Sequence, residues 1–180
     1  FLGARALLRW AVGRHLGVDP SGLVVGTEPG GRPVITGRDG LAVSIAHSAA
    51  VHAVAVTRAT GIGIDVEGPV RPDPPLVRRC CPPAVRTALA ALPHAARTDA
   101  FTTIWTVQEA CVKAVGEGLR GSPARVAAPA GADRGGWREV RWRVLPPYLG
   151  DRMALAVVGP AGRVRAVRAP DAHPLYELEL

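Results

Sequence analysis

Lysine is nearly absent from this chain of 180 residues: of 22 basic residues only Lys113 is a lysine, and all the others are arginine. Wherever a plain positive charge serves, arginine supplies it, which singles out Lys113 for a task suited to a compact ammonium on a flexible stem. Cysteine is scarce as well. Three residues, two of them adjacent (Cys80 and Cys81), make neither a disulfide framework nor a Cys-x-x-Cys zinc site, and read as reduced, packed thiols. Aromatic residues amount to 4%, too few for a stacking strip, and the arginines are scattered from Arg5 to Arg168, which argues against a nucleic-acid partner. No apolar run is long enough to cross a bilayer, and Arg5 and Arg9 break the first apolar segment, which also excludes a secretory signal. Walker loops, Gly-x-Ser-x-Gly elbows and His-rich metal motifs are missing. A cytoplasmic protein without membrane or nucleic-acid partners is the expectation.

What remains is a globular composition, 48% apolar and 21% charged, with a net charge of +7 that suits an acidic partner or a polyanionic ligand. The chain opens at Phe1 without a methionine, already inside a helical pattern, so a leading segment is expected to be missing. The spacing predicts a helix over 1–16, with Leu2, Ala6, Leu8 and Ala11 or Val12 on its apolar face and Gly17 near its end. Short strands are expected at 23–25 and 34–35, flanking the Gly30-Gly31-Arg32-Pro33 turn. Two runs, 41–47 and 51–57, read as a hairpin, and 62–66 as a further strand. A Pro-rich loop (68–75) leads to a helical region at 82–92. The longest helix is expected from Asp99 to Val115, capped by Thr98 or Asp99 and stopped by Gly116 and Gly118. A loop at 127–136 precedes strands at 140–145, 153–158 and 164–167. The order, helix and strands twice over, hints at two similar halves.

Asp65 and Glu67 close the run Gly61-Ile-Gly-Ile-Asp-Val-Glu. Two apart on a strand, they project to one face and repel each other unless a cation such as Mg²⁺ sits between them, or unless the strand simply exits to solvent. Glu109 and Lys113 sit four apart on a helix, with Trp105 on the same stripe. That pair is either an ordinary surface ion pair or, because the surrounding helix is apolar, a half-buried couple that needs a metal or phosphate oxygens as partners. His47 ends a strand, where it is either structural or a phosphate donor assisted by the Ser48 hydroxyl. Arg32, between a glycine and a proline, is a fork in a rigid turn.

Taken together, Gly31-Arg-Pro33, Ser44-Ile-Ala-His-Ser48, Gly63-Ile-Asp-Val-Glu67, Trp105-Thr-x-x-Glu109-Ala-x-x-Lys113 and Gly116-x-Gly-Leu119 resemble the 4′-phosphopantetheinyl transferases, in the order and spacing of their larger, monomeric type. The resemblance covers roughly residues 1–158. It implies an α+β fold of two pseudo-symmetric subdomains, each a long helix on a small, mainly antiparallel sheet. The halves would be 1–67, lacking its N-terminal portion, and 68–180, which carries the motif helix. It further implies that Asp65, Glu67 and Glu109 hold Mg²⁺ (or Mn²⁺) against the pyrophosphate of coenzyme A. Lys113 would contact the same pyrophosphate, and Arg32 and His47 the 3′-phosphate end, with Ser48 also counted among the coenzyme-binding residues. Glu109, or a water it holds, would take the proton of a serine on an acidic apo carrier domain. Gln108 stands where the family usually has a lysine, and would serve the coenzyme by hydrogen bonds instead of charge. Ala46 stands where a serine is common. Other readings of the same residues are a Mg²⁺-dependent nucleotide pyrophosphate hydrolase, a weakened or inactive relative, and a basic nucleic-acid-binding module.

Overall fold

Helix α1 (Leu2–Leu16) buries Ala4, Leu8 and Val12, a stripe with a spacing of four, against the first strands of the chain. The computed structural model describes residues 2–117 and 123–159, and the backbone alone at 163–167 and 174–179. The apolar face of α1 is rotated from the expected one, for Leu2 is 85% exposed and Ala6 also faces out. Gly17, at φ +68°, ends the helix in the left-handed conformation that glycine adopts without strain.

Two antiparallel ladders follow: β1 (Val25–Thr27) with β2 (Pro33–Ile35), and β3 (Ala42–His47) with β4 (His52–Thr57). The second is the expected hairpin, closed by Ser48, whose N–H donates to the Val51 carbonyl. Leu8, Val12, Leu23, Ile35 and Val43 form the core beneath α1.

β5 (Gly61–Glu67) is buried along its length except at Glu67. It pairs antiparallel with β8 (Asp151–Val158), from Gly61 opposite Val158 to Glu67 opposite Arg152. Beyond β8 come β7 (Val140–Tyr148) and β6 (Arg134–Trp137), giving the order β5-β8-β7-β6. The opposite edge of β5 lies along β3, where the Ile64 N–H donates to the Ser44 hydroxyl at 3.1 Å. A division of the chain at residue 67 therefore separates β5 from the strand it is bonded to, although its free edge touches the first half. Alternation then sorts the side chains. Ile62, Ile64 and Val66 pack with Leu145, Met153 and Leu155, while Gly61 and Gly63 face a helix on the other side.

That helix is α4 (His94–Val115), preceded by α2 (Pro74–Cys80) and α3 (Pro83–Ala90). α2 begins inside the expected Pro-rich loop, because prolines in a first turn forfeit no helical hydrogen bond. α4 starts five residues before the expected Asp99, with Pro93 at its N-cap. Thr98 and Asp99 are therefore interior and cap nothing; Asp99 pairs with Arg152 instead. Arg97 donates to the carbonyls of Leu89, Ala90 and Leu92, tying α4 to the end of α3. Gly116, at φ +74°, stops α4 as expected, whereas Gly118 lies outside the described residues. β6 falls in the expected loop at 127–136: Gly135 leaves room for the Trp142 ring, which a Cβ there would meet at 2.4 Å. A last ladder pairs β9 (Arg163–Val167) with β10 (Pro174–Glu179).

The architecture is α+β, with α4 laid over β5, β8 and β7. Phe101, Ile104, Val107, Ala110 and Cys111 pack onto Val140, Trp142, Ala154 and Ala156. Burial pushes the thiols of Cys111 and Cys81 up to about 12 and about 11, so both stay protonated at neutral pH. Among the described residues no helix is long and apolar enough to cross a membrane.

Candidate active site

Two glycines set the distance between the elements that carry the charged residues. A Cβ at Gly63 would lie 1.9 Å from the Ala110 carbonyl oxygen, and one at Gly61 would lie 2.3 Å from that of Ala114. Main chain of α4 thus rests directly on main chain of β5. With period two, the next residues on that face are Asp65 and Glu67. They come level with the stripe Trp105, Glu109 and Lys113, and all five line one cleft of about 510 Å³. α1 contributes Ala4 and Arg5 to the opposite wall, and β1, β2 and β3 contribute Thr27, Pro33 and His47.

The contacts run between the elements and not along the helix. Lys113 Nζ lies 2.6 Å from Asp65 Oδ1 and donates to the Ile64 carbonyl at 3.3 Å, so its first partner is the strand and not Glu109 four residues away. Trp105 Nε1 donates to Glu67 Oε1 at 3.3 Å. Burial is the main force on the acids. It pushes the Asp65 carboxyl up against the pull of Lys113, and it raises Glu67 and Glu109, each further lifted by the Asp65 charge. Three carboxylates, Asp65 buried and Glu67 and Glu109 partly so, with the Asp65 charge lifting the other two, call for positive charge.

Among the described residues no three His, Cys, Asp or Glu side chains already stand as a metal cage. The donor set nevertheless fits a hard divalent cation. Asp65 Oδ2 is buried without a hydrogen-bond partner among the described residues, and Glu67 and Glu109, on the same cleft, are oxygen donors too.

The remaining expected residues divide. His47 lines the cleft, exposed at the end of β3, and its positive form would favour the Asp65 carboxylate. The Ser48 hydroxyl is committed elsewhere: it donates to Asp151 and accepts from the N–H groups of Ala50 and Val51. Arg32 is not on the cleft wall, although Gly31 and Pro33 are; its guanidinium lies at Gly116, the C-terminal end of α4, where a cation suits the helix dipole. Gln108 points away altogether. It is 0% exposed, and its Nε2 donates to the carbonyls of Cys80 (2.8 Å) and Val126 (3.2 Å), joining α4 to the loops around it. One residue from Glu109 is 100° around a helix, enough to put Gln108 on the core side with Ile104 and Cys111. Gln108→Leu should accordingly lower stability by about 1–3 kcal/mol by orphaning two buried carbonyls; thermal melting unchanged from that of the unmodified protein would overturn this structural role.

Two residues that sequence reasoning passed over bear on these positions, one on the cleft wall and one that holds Ser48. Arg5 reaches the cleft from α1 and donates to the Thr27 hydroxyl at 3.0 Å. Asp151 is 7% exposed and holds Ser48 from the start of β8, across 103 residues of sequence. Arg5 had no signal, since the expected apolar face of α1 did not include its neighbour Ala4, and nothing local marks Asp151.

The profile of the 4′-phosphopantetheinyl transferase superfamily matches residues 61–141, the stretch that opens on β5 and includes α4. Over 124 residues the chain is 32% identical to the 4′-phosphopantetheinyl transferase HetI of Nostoc sp., an alignment covering 66% of this chain and 52% of that protein. It is 30% identical over 113 residues to a 4′-phosphopantetheinyl transferase of Bacillus subtilis, covering 63% of this chain and 50% of the relative. The chain spans about half the length of the curated relatives it matches.

Proposed function

Since the chain belongs to the 4′-phosphopantetheinyl transferase superfamily, we propose that it moves the 4′-phosphopantetheine group of coenzyme A onto a serine of an apo carrier domain, in the manner of the larger, monomeric members. One observation carries the reading: Asp65, Glu67, Glu109 and Lys113, from two elements, meet in a single cleft beside a strand-on-helix contact that only glycine permits.

Asp65, Glu67 and Glu109 would hold the divalent cation, Mg²⁺ or Mn²⁺, which would neutralise the pyrophosphate and polarise its phosphoryl oxygens. The serine Oγ attacks the β-phosphorus; the bond between that phosphorus and the bridging oxygen breaks, and 3′,5′-ADP leaves with the bridging oxygen. The serine proton passes to Glu109 or to a water that Glu109 holds. A carboxylate raised by burial and by the neighbouring Asp65 charge is a better base than an exposed one. Trp105 steadies Glu67 through its indole N–H, and His47 and Arg5 offer donors to the phosphates from the opposite wall. Little covalent chemistry falls to the protein, so positioning and charge carry the rate. A net charge of +7 would draw in a carrier domain that is acidic around its serine.

The test is an intact-mass measurement on apo carrier domains incubated with the protein, coenzyme A and Mg²⁺. One phosphopantetheine gained per carrier, abolished by a chelator, is the expected result. Release of 3′,5′-ADP with no carrier present would instead identify a pyrophosphate hydrolase.

A further inference from the structure

Lys113 is in an odd position for a residue meant to meet a phosphate. Its ammonium lies 2.6 Å from Asp65 Oδ1 and 3.3 Å from the Ile64 carbonyl oxygen, so two of its three N–H groups serve β5. The Asp65 side chain is 6% exposed, and its second oxygen, Oδ2, is buried and unpartnered. The ammonium therefore neutralises the most buried of the three acids through Oδ1 alone and leaves Oδ2 without a hydrogen-bond partner among the described residues. A divalent cation arriving at Oδ2 meets a positive charge already held by the same carboxylate.

We propose that Lys113 is the resident counter-ion of the metal-free cleft: it holds Asp65 until the pyrophosphate of coenzyme A draws it off, so that cation and coenzyme reinforce each other's binding. The inference rests on the transferase reading of the cleft and adds a coupling to it. It also accounts for the single lysine. An arginine fork would grip both oxygens of Asp65 at once and block Oδ2, whereas an ammonium on a four-carbon stem takes one oxygen and can swing away. By reciprocity, whatever factor the coenzyme adds to cation affinity, the cation adds to coenzyme affinity.

Calorimetric titration of Mn²⁺ into the protein without coenzyme reads the coupling without reference to turnover. Lys113→Gln removes the charge but retains an amide that can donate to Ile64 or Asp65. It should bind Mn²⁺ about tenfold more tightly than the unmodified protein, since a like charge beside the ligand is gone. Lys113→Arg should bind no more tightly than the unmodified protein. Coenzyme A should tighten Mn²⁺ binding more in the unmodified protein than in Lys113→Gln. Equal or weaker Mn²⁺ affinity in a folded Lys113→Gln variant overturns the counter-ion role and leaves the transferase reading untouched. No Mn²⁺ binding by either protein, with coenzyme present, overturns both. Should Lys113→Gln fail to fold, the unmodified protein decides: labelled with ¹³C-lysine it gives one ε-methylene signal, free of overlap. That signal should shift when Mg²⁺ is added and again with coenzyme A; a signal indifferent to both overturns the proposal.

Discussion

Replacing Gly63 by alanine is expected to cost at least about 3 kcal/mol of stability and to abolish transfer. The added methyl would fall 1.9 Å from the Ala110 carbonyl oxygen, 2.6 Å from the Ala114 nitrogen and 3.0 Å from the Ala110 carbonyl carbon. All three are helix main chain, which cannot turn aside as a flexible side chain does. α4 must move off β5, and with it go Glu109 and Lys113, away from Asp65 and Glu67. For a chain of this size such a loss lowers the melting midpoint by about 6–12 °C. Shifts of about 1 Å at a phosphoryl-transfer site cost on the order of 10²-fold in rate, so the damage to activity should exceed what the lost stability explains. Gly22→Ala is the control, since a Cβ there meets nothing within 4 Å. If thermal melting and the carrier-mass assay fail to separate the two variants, the strand-on-helix contact is not what sets the site.

Glu109→Gln should separate function from stability in the opposite sense. Transfer is expected to fall by about 10³-fold or more, because on the proposed reading a base and a metal-binding oxygen would vanish together. The metal-free variant should nevertheless melt no lower than the unmodified protein at neutral pH. The sign follows from the three raised carboxyls. Asp65, Glu67 and Glu109 each hold a proton more readily folded than unfolded, with burial as the main cause. Their protonation stabilises the fold fully below the ordinary carboxylate range of about 4, and that contribution is lost as pH rises through the raised folded values. The metal-free protein should therefore melt higher at about pH 5 than at about pH 7.5, and Glu109→Gln should flatten that dependence. A variant with near-normal turnover, or an unmodified protein whose metal-free melting rises with pH across that window, would contradict this account of the cleft.

The acids of the cleft were legible because strand alternation is a short-range rule. Asp65 and Glu67 share a face wherever β5 goes, and a glycine at every second position before them clears the same face for a helix. The stripe Trp105, Glu109 and Lys113 follows in the same way from the helical period. What the period could not supply was the partner: an i, i+4 pair reads as Glu109 with Lys113, whereas burial of Asp65 makes it the greater demand on the ammonium. Gln108 was misjudged by reading along the motif and not around the helix, where a single residue changes the wall it faces. Arg32 and Ser48 are turn residues, and their directions are fixed by neighbours remote in sequence, Gly116 for one and Asp151 for the other. The start of α4 was misplaced because Thr98 and Asp99 look like caps. Pro93, which has no cap-bonding side chain, holds that position through its extended backbone and the hydrogen bonds Arg97 makes to the end of α3.

β5 and β8 are paired across roughly ninety residues of chain. During synthesis the acidic strand leaves the ribosome long before its partner exists. It must wait as an apolar segment with an open edge while three helices and two further strands are made. Such a segment is exposed to mispairing in proportion to the delay, and two charges at its end are a modest protection against it. A chain cut short before Asp151 would keep every residue of the cleft from Ala4 to Lys113 and still lack the strand that aligns them. The proposed activity should therefore appear late in the protein's biogenesis, with the completion of β8, and slow elongation between β5 and β8 should favour aggregation over yield.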